Sequence, residues 1–330
     1  MPCPSCQSPV FDGDVFCEAC GRRLDQSCPG CGGTEITDGY CAACGLRQPA
    51  AGDHVEIDLG QVAAAVSDRG LRHSTNQDAM AMARLNGDRD GDGVAVVVSD
   101  GVSASPRPDE ASRTAVDTGL AVLLAELEGG VDPRDATRTA ALQAAKAVRS
   151  LASAPTEAPA CTYISAVTGK INGQEAIVVG WVGDSRAYWI GATGDELLTE
   201  DDSWAQHVVS HGMMTEEEAY SDRRAHMLVG WLGADAQDID VHVLVYAPEV
   251  PGVLVVCSDG LWNYMASPLA LAAALADPLA DPVSGPLTGP KGNQRSPLSV
   301  ARELVRTALN GGGHDNITVA VVPISGDAVF

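Results

Sequence analysis

Two segments of this chain end alike, and each reads as a strand buried on both faces. They are Val94-Ala-Val-Val-Val-Ser-Asp100-Gly101 and Val253-Leu-Val-Val-Cys-Ser-Asp259-Gly260, continuous apolar runs stopped by Ser-Asp-Gly. A strand without a polar face has none to turn to water, so it needs a covering layer on each side. Each run then presents a carboxylate at its end. The following glycine lets the backbone turn sharply and lets a main-chain carbonyl approach a metal. A single Asp-Gly after a strand is usually a plain turn. Two copies on matching buried strands point instead to a shared purpose.

Further acids stand in comparable settings: Asn76-Gln-Asp78 before a strand, Gly183-Asp184-Ser-Arg186 after one, and His314-Asp315-Asn316-Ile-Thr before the last. Strands are expected over 61–67, 79–85, 94–99, 162–168, 175–182, 186–190, 239–245, 253–257 and 317–322. Long helices fit 109–127, where Val116, Leu120, Leu123, Leu124 and Leu127 recur at helical spacing, and 133–151, opened by Asp132 as N-cap and Pro133 at the first helical position. Shorter helices fit 203–211, 267–276 and 298–309. The Pro-, Gly- and Ser-rich stretch 277–297 reads as a surface excursion. Carboxylates converging without basic partners repel one another, and oxygen-liganded divalent ions are the ordinary remedy.

In their order, these elements resemble the metal-dependent protein phosphatase family, type 2C. The match comprises Ser67-Asp-Arg-Gly70 with Asn76-Gln-Asp78, Val98-Ser-Asp100-Gly101, Val182-Gly-Asp184-Ser-Arg186, Cys257-Ser-Asp259-Gly-Leu-Trp262 and His314-Asp315-Asn316-Ile-Thr318. The resemblance implies an α+β fold, a four-layer α-β-β-α sandwich over residues 61–325. It further implies that Asp100 bridges two Mn²⁺ or Mg²⁺ ions, that Asp259 and Asp315 complete the ligands of the first, that the Gly101 carbonyl helps hold the second, and that Asp78 acts largely through metal-bound water. Asp184 with Asp259 matches a third, weaker site of bacterial members. The expected chemistry is hydrolysis of phosphoserine and phosphothreonine by a hydroxide shared between two ions, with no covalent phosphoenzyme.

Two positions depart from the family pattern. Where relatives carry a phosphate-gripping arginine, this chain has His73, preceded by Arg72; either could serve, although a strand would point Arg72 the other way. After Asp100-Gly101 the chain continues Val-Ser-Ala104 instead of reaching a Gly-Gly pair, and Val102 cannot donate a proton. Protonation of the leaving group would fall to metal-bound water or to His73.

Eight of the ten cysteines crowd into the first 44 residues as Cys3/Cys6, Cys17/Cys20, Cys28/Cys31 and Cys41/Cys44. Cys-x-x-Cys pairs at this density read as zinc knuckles, with Gly21, Gly32 and Gly45 supplying permissive backbone after three of them. Eight thiolates make two closed, structural Zn²⁺ sites. Pairing of neighbours gives a double zinc ribbon over 1–47, while pairing the second knuckle with the third is also open. Residues 48–60 read as a linker. In 1–47 three arginines face six acids, and the whole chain carries −23, which disfavours nucleic acid and anionic membrane surfaces. No basic or apolar leader opens the sequence, so a cytoplasmic location is expected. Expected partners are phosphorylated Ser/Thr proteins, substrates of a Ser/Thr kinase, and a protein partner for the ribbons.

The alternative is a catalytically weak or inactive phosphatase-like scaffold whose ribbons bind that partner; the retained metal ligands favour the enzyme. Asp88–Gly93 opens like a calcium loop, but Ser99 stands where the closing Glu belongs, so a turn is expected. His207, His211 and His226 lack a third ligand at recognisable spacing and read as surface or supporting residues.

Overall fold

Which residues on each strand face which layer decides the architecture. The computed structural model describes residues 9–10, 28, 31–37, 39–48, 50, 52–85, 93–154, 157–171, 174–236, 239–276 and 295–324. The chain divides into two compact units, Met1–His54 and Val55–Phe330. In the first, β1 (Ile36–Thr37) pairs antiparallel with β2 (Tyr40–Cys41).

Fifteen strands and seven helices are described in all. After β2 the order is β3 (His54–Asp58), β4 (Ala64–Asp68), β5 (Ala79–Leu85), β6 (Gly93–Ser99), α1 (Pro108–Glu128), α2 (Pro133–Arg149), β7 (Ala160–Cys161), β8 (Tyr163–Ile171), β9 (Gln174–Val182), β10 (Arg186–Gly191) and β11 (Gly194–Leu197). Then come α3 (Trp204–Ser210), α4 (Glu216–Ser221), β12 (Leu232–Gly233), β13 (His242–Tyr246), β14 (Gly252–Cys257), α5 (Asp259–Trp262), α6 (Pro268–Ala276), α7 (Pro297–Asn310) and β15 (Ile317–Ile324). One sheet has the order β11-β10-β14-β15-β4-β3 and the other β13-β9-β8-β6-β5; β7 and β12 form a small third pair. Every register recorded in the two large sheets is antiparallel.

The twin apolar strands are covered on both faces, as their composition demands. Val94, Val96 and Val98 of β6 meet Leu254 and Val256 of β14, with Trp181, Trp189 and Ile164, in a core between the sheets. The alternate residues Ala95 and Val97 face α1 and α2. Those of β14, namely Val253, Val255 and Cys257, face α5, α6 and α7. The result is a four-layer α-β-β-α sandwich. Asp132 caps α2 by accepting the Arg134 amide at 2.9 Å, and the small buried face Ala136, Ala140, Ala141, Ala144 and Ala145 lets that helix lie close to its neighbours.

The stretch 48–60, read from sequence as a linker, contains an edge strand instead. Val55 and Ile57 pack on the inter-sheet core, and Glu56 on the other face pairs with Arg302 of α7 at 2.6 Å. The alternation is there, but five residues are too few to separate it from irregular chain. The turn expected at 88–93 and the surface excursion expected over 277–297 lie outside the described residues except for Gly93 and 295–297. Among the described residues no helix is long and apolar enough to cross a membrane.

Candidate active site

Strand pairing collects the acids at one end of the sandwich. Ala79 pairs with Ser99, so Asp78, just before β5, and Asp100, just after β6, come out together on one sheet. On the other, Cys257 pairs with Val319, which brings Asp259, just after β14, to the same end as Asp315, just before β15. Asp184 sits in the turn where β9 of one sheet passes into β10 of the other.

A hydrogen bond from Ser258 Oγ to Asp78 Oδ2, 2.7 Å, joins the two groups across the sheets. The same hydroxyl accepts the Thr318 amide at 3.0 Å, which fixes its direction. Burial raises the Asp78 carboxyl to about 7, with repulsion from Asp259 and Asp315 adding to it. Burial likewise raises Asp259 to about 6, with Asp315 adding repulsion. Asp100 is pushed well above the usual carboxylate range by burial and by Asp78, Asp259, Asp184 and Asp315 in that order. Burial and then Asp259 do the same to Asp184.

Asp78 Oδ1 and Asp259 Oδ1 are buried without a hydrogen-bond partner. Orphaned carboxylate oxygens inside a cluster of mutually repelling acids are the donor set a hard divalent cation takes. Among the described residues, the one set of three or more metal-ligating side chains with all ligand atoms within 4.8 Å of each other is a cysteine set elsewhere.

Of the two residues considered for gripping phosphate, His73 reaches the cluster: its Nε2 lies 3.2 Å from Asp315 Oδ1. Arg72 is exposed. Residues 69–78 are not a strand, so the expectation that neighbours there alternate between faces does not apply. Asn316 holds this segment instead. Its Oδ1 accepts the Gln77 amide at 2.7 Å, and its Nδ2 donates to the carbonyls of Arg69 at 2.7 Å and Thr75 at 3.1 Å. An Asn316→Ala protein is expected to lose ~1–3 kcal/mol in urea unfolding, because three backbone groups lose the buried Asn316 side chain as partner at once.

Sequence reasoning did not single out Asn316, Ser258, Thr162 or Trp262 for these supporting roles. Thr162 Oγ1 accepts the Asp100 amide at 3.0 Å and pairs with Ser185 Oγ at 2.9 Å. Trp262 Nε1 donates to the Asp184 carbonyl at 2.8 Å, beneath the Arg186 guanidinium, which lies 3.8 Å from its ring centroid and is clamped by both oxygens of Asp201. The twin motifs also differ: Asp100 ends a strand, whereas Asp259 opens α5, where a Cβ on Gly260 would stand 1.8 Å from the Asn316 carbonyl oxygen. For Ser258 and Asn316 the signal available was a polar residue directly beside Asp259 and Asp315; Thr162 and Trp262 carried none.

The sequence profile described as "Protein phosphatase 2C" matches residues 70–286. The chain belongs to the protein phosphatase 2C family. It is 27% identical over 161 residues to the "Serine/threonine phosphatase stp" of Listeria welshimeri, covering 49% of this chain and 55% of that protein. It is 25% identical over 270 residues to the "Serine/threonine protein phosphatase PstP" of Mycobacterium tuberculosis, covering 79% of this chain and 44% of that one. The chain thus spans about half the length of the curated relatives it matches. Among solved structures, the catalytic domain of PstP in complex with two manganese ions superposes with a TM-score of 0.59 at 23% identity, over 80% of this chain and 97% of that one, which shows the shared fold.

The eight N-terminal cysteines lie outside the family match. Cys28, Cys31, Cys41 and Cys44 bring their sulfurs together, with Cys28 Sγ 3.5 Å from Cys44 Sγ and Cys31 Sγ 3.5 Å from Cys41 Sγ. Two matching turns place them. Gly32 N donates to Cys28 O and Gly45 N to Cys41 O, each at 2.8 Å, and both glycines have positive φ. About 3.8 Å between sulfurs is what four thiolates around a tetrahedral ion with ~2.3 Å bonds require, so the third and fourth pairs are a neighbouring set with that geometry. Cys3, Cys6, Cys17 and Cys20 lie outside the described residues. The rings of His207 and His211 stand 4.3 Å apart on α3, and His226 packs against Trp262; neither group gathers a third metal-ligating side chain among the described residues.

Proposed function

We propose that this chain is a metal-dependent protein phosphatase acting on phosphoserine and phosphothreonine, and that the acidic end of the sandwich is its reaction centre. The observation that carries the reading is the pair of orphaned buried oxygens, one from each sheet, inside a five-aspartate cluster. Asp100, Asp259 and Asp315 with the Gly101 carbonyl and Asp78 are the groups suited to hold two Mn²⁺ or Mg²⁺ ions, with Asp184 and Asp259 suited to a third. Such ions, when bound, acidify the attacking water and neutralise the phosphoryl oxygens. The chain's own residues orient and hold: Ser258 and Asn316 set the angles of Asp78 and the 69–77 segment, and we assign His73 the contact with the phosphoryl group on the strength of its position beside Asp315.

A nucleophilic side chain is not required. Burial pushes the Cys161 thiol up to about 12 and raises that of Cys257 as well, so both remain packed, protonated thiols at neutral pH. Release of inorganic phosphate from a phosphothreonine peptide with added Mn²⁺ tests the proposal; turnover no higher than that of an Asp259→Asn control would overturn it. One observation favours the slower-enzyme or scaffold reading: the residue standing where relatives carry arginine, His73, already faces a carboxylate of the cluster.

We assign residues 1–47 to a double zinc ribbon that binds a protein partner and residues 61–325 to the phosphatase domain. The matching turns around Cys28, Cys31, Cys41 and Cys44 support structural zinc in the second ribbon. A chain with eight such thiolates is expected to bind about two zinc ions, and the Cys41→Ser variant about one. Metal analysis of the purified proteins reads this directly.

A further inference from the structure

The turn that carries Asp184 is held by a carboxylate that has no place in the reaction so far. Asp202 Oδ2 accepts the Gly183 amide at 2.8 Å, and the backbone amide of Asp202 donates to the Gly183 carbonyl at 2.9 Å. The other oxygen, Oδ1, lies 2.9 Å from His242 Nε2 on β13. The His242 ring stacks on Trp181 with centroids 5.0 Å apart, and Trp181 Nε1 donates to the Glu200 carbonyl at 2.8 Å. The carboxylate is therefore held from two elements, the β9–β10 turn and β13, while Trp181 on β9 also ties down the Glu200 carbonyl two residues before it.

Asp202 also stands at the neck of an excursion. Residues 203–228 leave the sandwich and return beside their own start: Val229 N donates to Asp202 O at 2.8 Å, Ser203 and Leu228 form a bridge, and Trp204 N donates to Met227 O at 2.7 Å. The excursion has a small core of its own in Ala205, Val208, Ala219 and Ala225. Gly230, just past the neck, lies so close that a Cβ there would meet Asp202 Oδ2 at 2.7 Å. A segment with so little buried apolar surface is drawn from the low-stability end of a fold and opens more readily than the sheets.

We propose that Asp202 is a positioning residue of the phosphatase site, one that fixes the Asp184 turn and ties it to closure of the 203–228 excursion. The proposal rests on the phosphatase reading for its functional meaning, and on the hydrogen bonds alone for its geometry. Closing the neck brings the Asp202 backbone and side chain into register with Gly183; opening it removes both bonds from the residue next to Asp184. The carboxylate–amide bond is the stronger of the two because its acceptor is charged.

Hydrogen exchange of the full chain, free of divalent ions, tests this together with calorimetric Mn²⁺ titration. Asp202→Ala is expected to speed exchange roughly tenfold in peptides covering 182–186 and 203–229, with β14 and β15 unchanged, and to weaken the weakest Mn²⁺ step several-fold. Asp202→Asn, which still offers an oxygen to the Gly183 amide, is expected to restore exchange at 182–186. Unchanged exchange at 182–186 in the alanine variant, or failure of asparagine to restore it, overturns the proposal. Should Asp202→Ala not fold, His242→Phe keeps a ring on Trp181, removes the brace on Oδ1 and is read the same way with a smaller increase. Exchange and calorimetry need no turnover, so a wild-type protein inactive on phosphopeptides would overturn the phosphatase reading and leave the role of Asp202 to be decided separately.

Discussion

An Asp100→Asn protein is expected to hydrolyse a phosphothreonine peptide at least ~10³-fold more slowly than the wild type, a loss of about 4 kcal/mol of transition-state stabilisation. It is also expected to melt at a higher temperature when divalent ions are withheld at neutral pH. Both outcomes have one cause. The charges that act on Asp100 are those of Asp78, Asp259, Asp184 and Asp315, all of the same sign, and the half-buried residue stands among them. A neutral amide removes that repulsion from the ion-free fold and removes the proposed bridging ligand from the ion-bound one. Initial rates with saturating Mn²⁺, beside thermal melts in a chelator, separate the two effects. A variant that loses activity and stability together would show that Asp100 serves packing, and the assignment of the bridging role would fall.

Without divalent ions the protein is expected to lose stability as pH rises from about 4 to about 7, and added Mn²⁺ is expected to stabilise it far more at pH 7.5 than at pH 5. The folded-state carboxyls of Asp78 and Asp259 are raised to about 7 and about 6, against roughly 3.9 for a free aspartate. Between those limits the native state holds protons that the unfolded chain has released, so the slope of stability with pH is negative. At roughly 1.4 kcal/mol for each pH unit by which a group is raised, the two together amount to about 7 kcal/mol. A cation binds the ionised carboxylates, which reverses the trend. Melts in chelator and in Mn²⁺ at the two pH values decide this, with Asp78→Asn flattening the chelator curve. Equal chelator melts for the wild type at pH 5 and 7.5 would contradict it.

Most of the longer strands and helices were legible because they carry strong local periodicity, whereas their layering into a sandwich was implied by the family resemblance alone. The runs 94–99 and 253–257 were recognisable as doubly covered, and the α2 N-cap was readable from Asp132-Pro133. Elements that were missed are short or depend on distant support. β3 has five residues, α4 six and α5 four, and none offers enough positions for a period to stand out. The likeness of the two Ser-Asp-Gly motifs was legible, whereas the difference in their geometry was not. Leu261 and Trp262 are buried after Asp259 and wind the chain into a helical turn, while Val102 and Ser103 after Asp100 are held by no such packing.

By itself the sequence determined which residues are acidic and which runs must be buried, since both follow from side-chain chemistry and spacing along the chain. It also determined that Cys28, Cys31, Cys41 and Cys44 stand at metal-ligating intervals. Only the tertiary structure decided how these groups meet. Ser258 reaches Asp78 across 180 residues, Asn316 reaches Gln77 across 239, and His242 reaches Asp202 across 40. Such contacts depend on which strands become neighbours and in what register. Local periodicity carries no record of that choice, because it is made by the packing of whole layers.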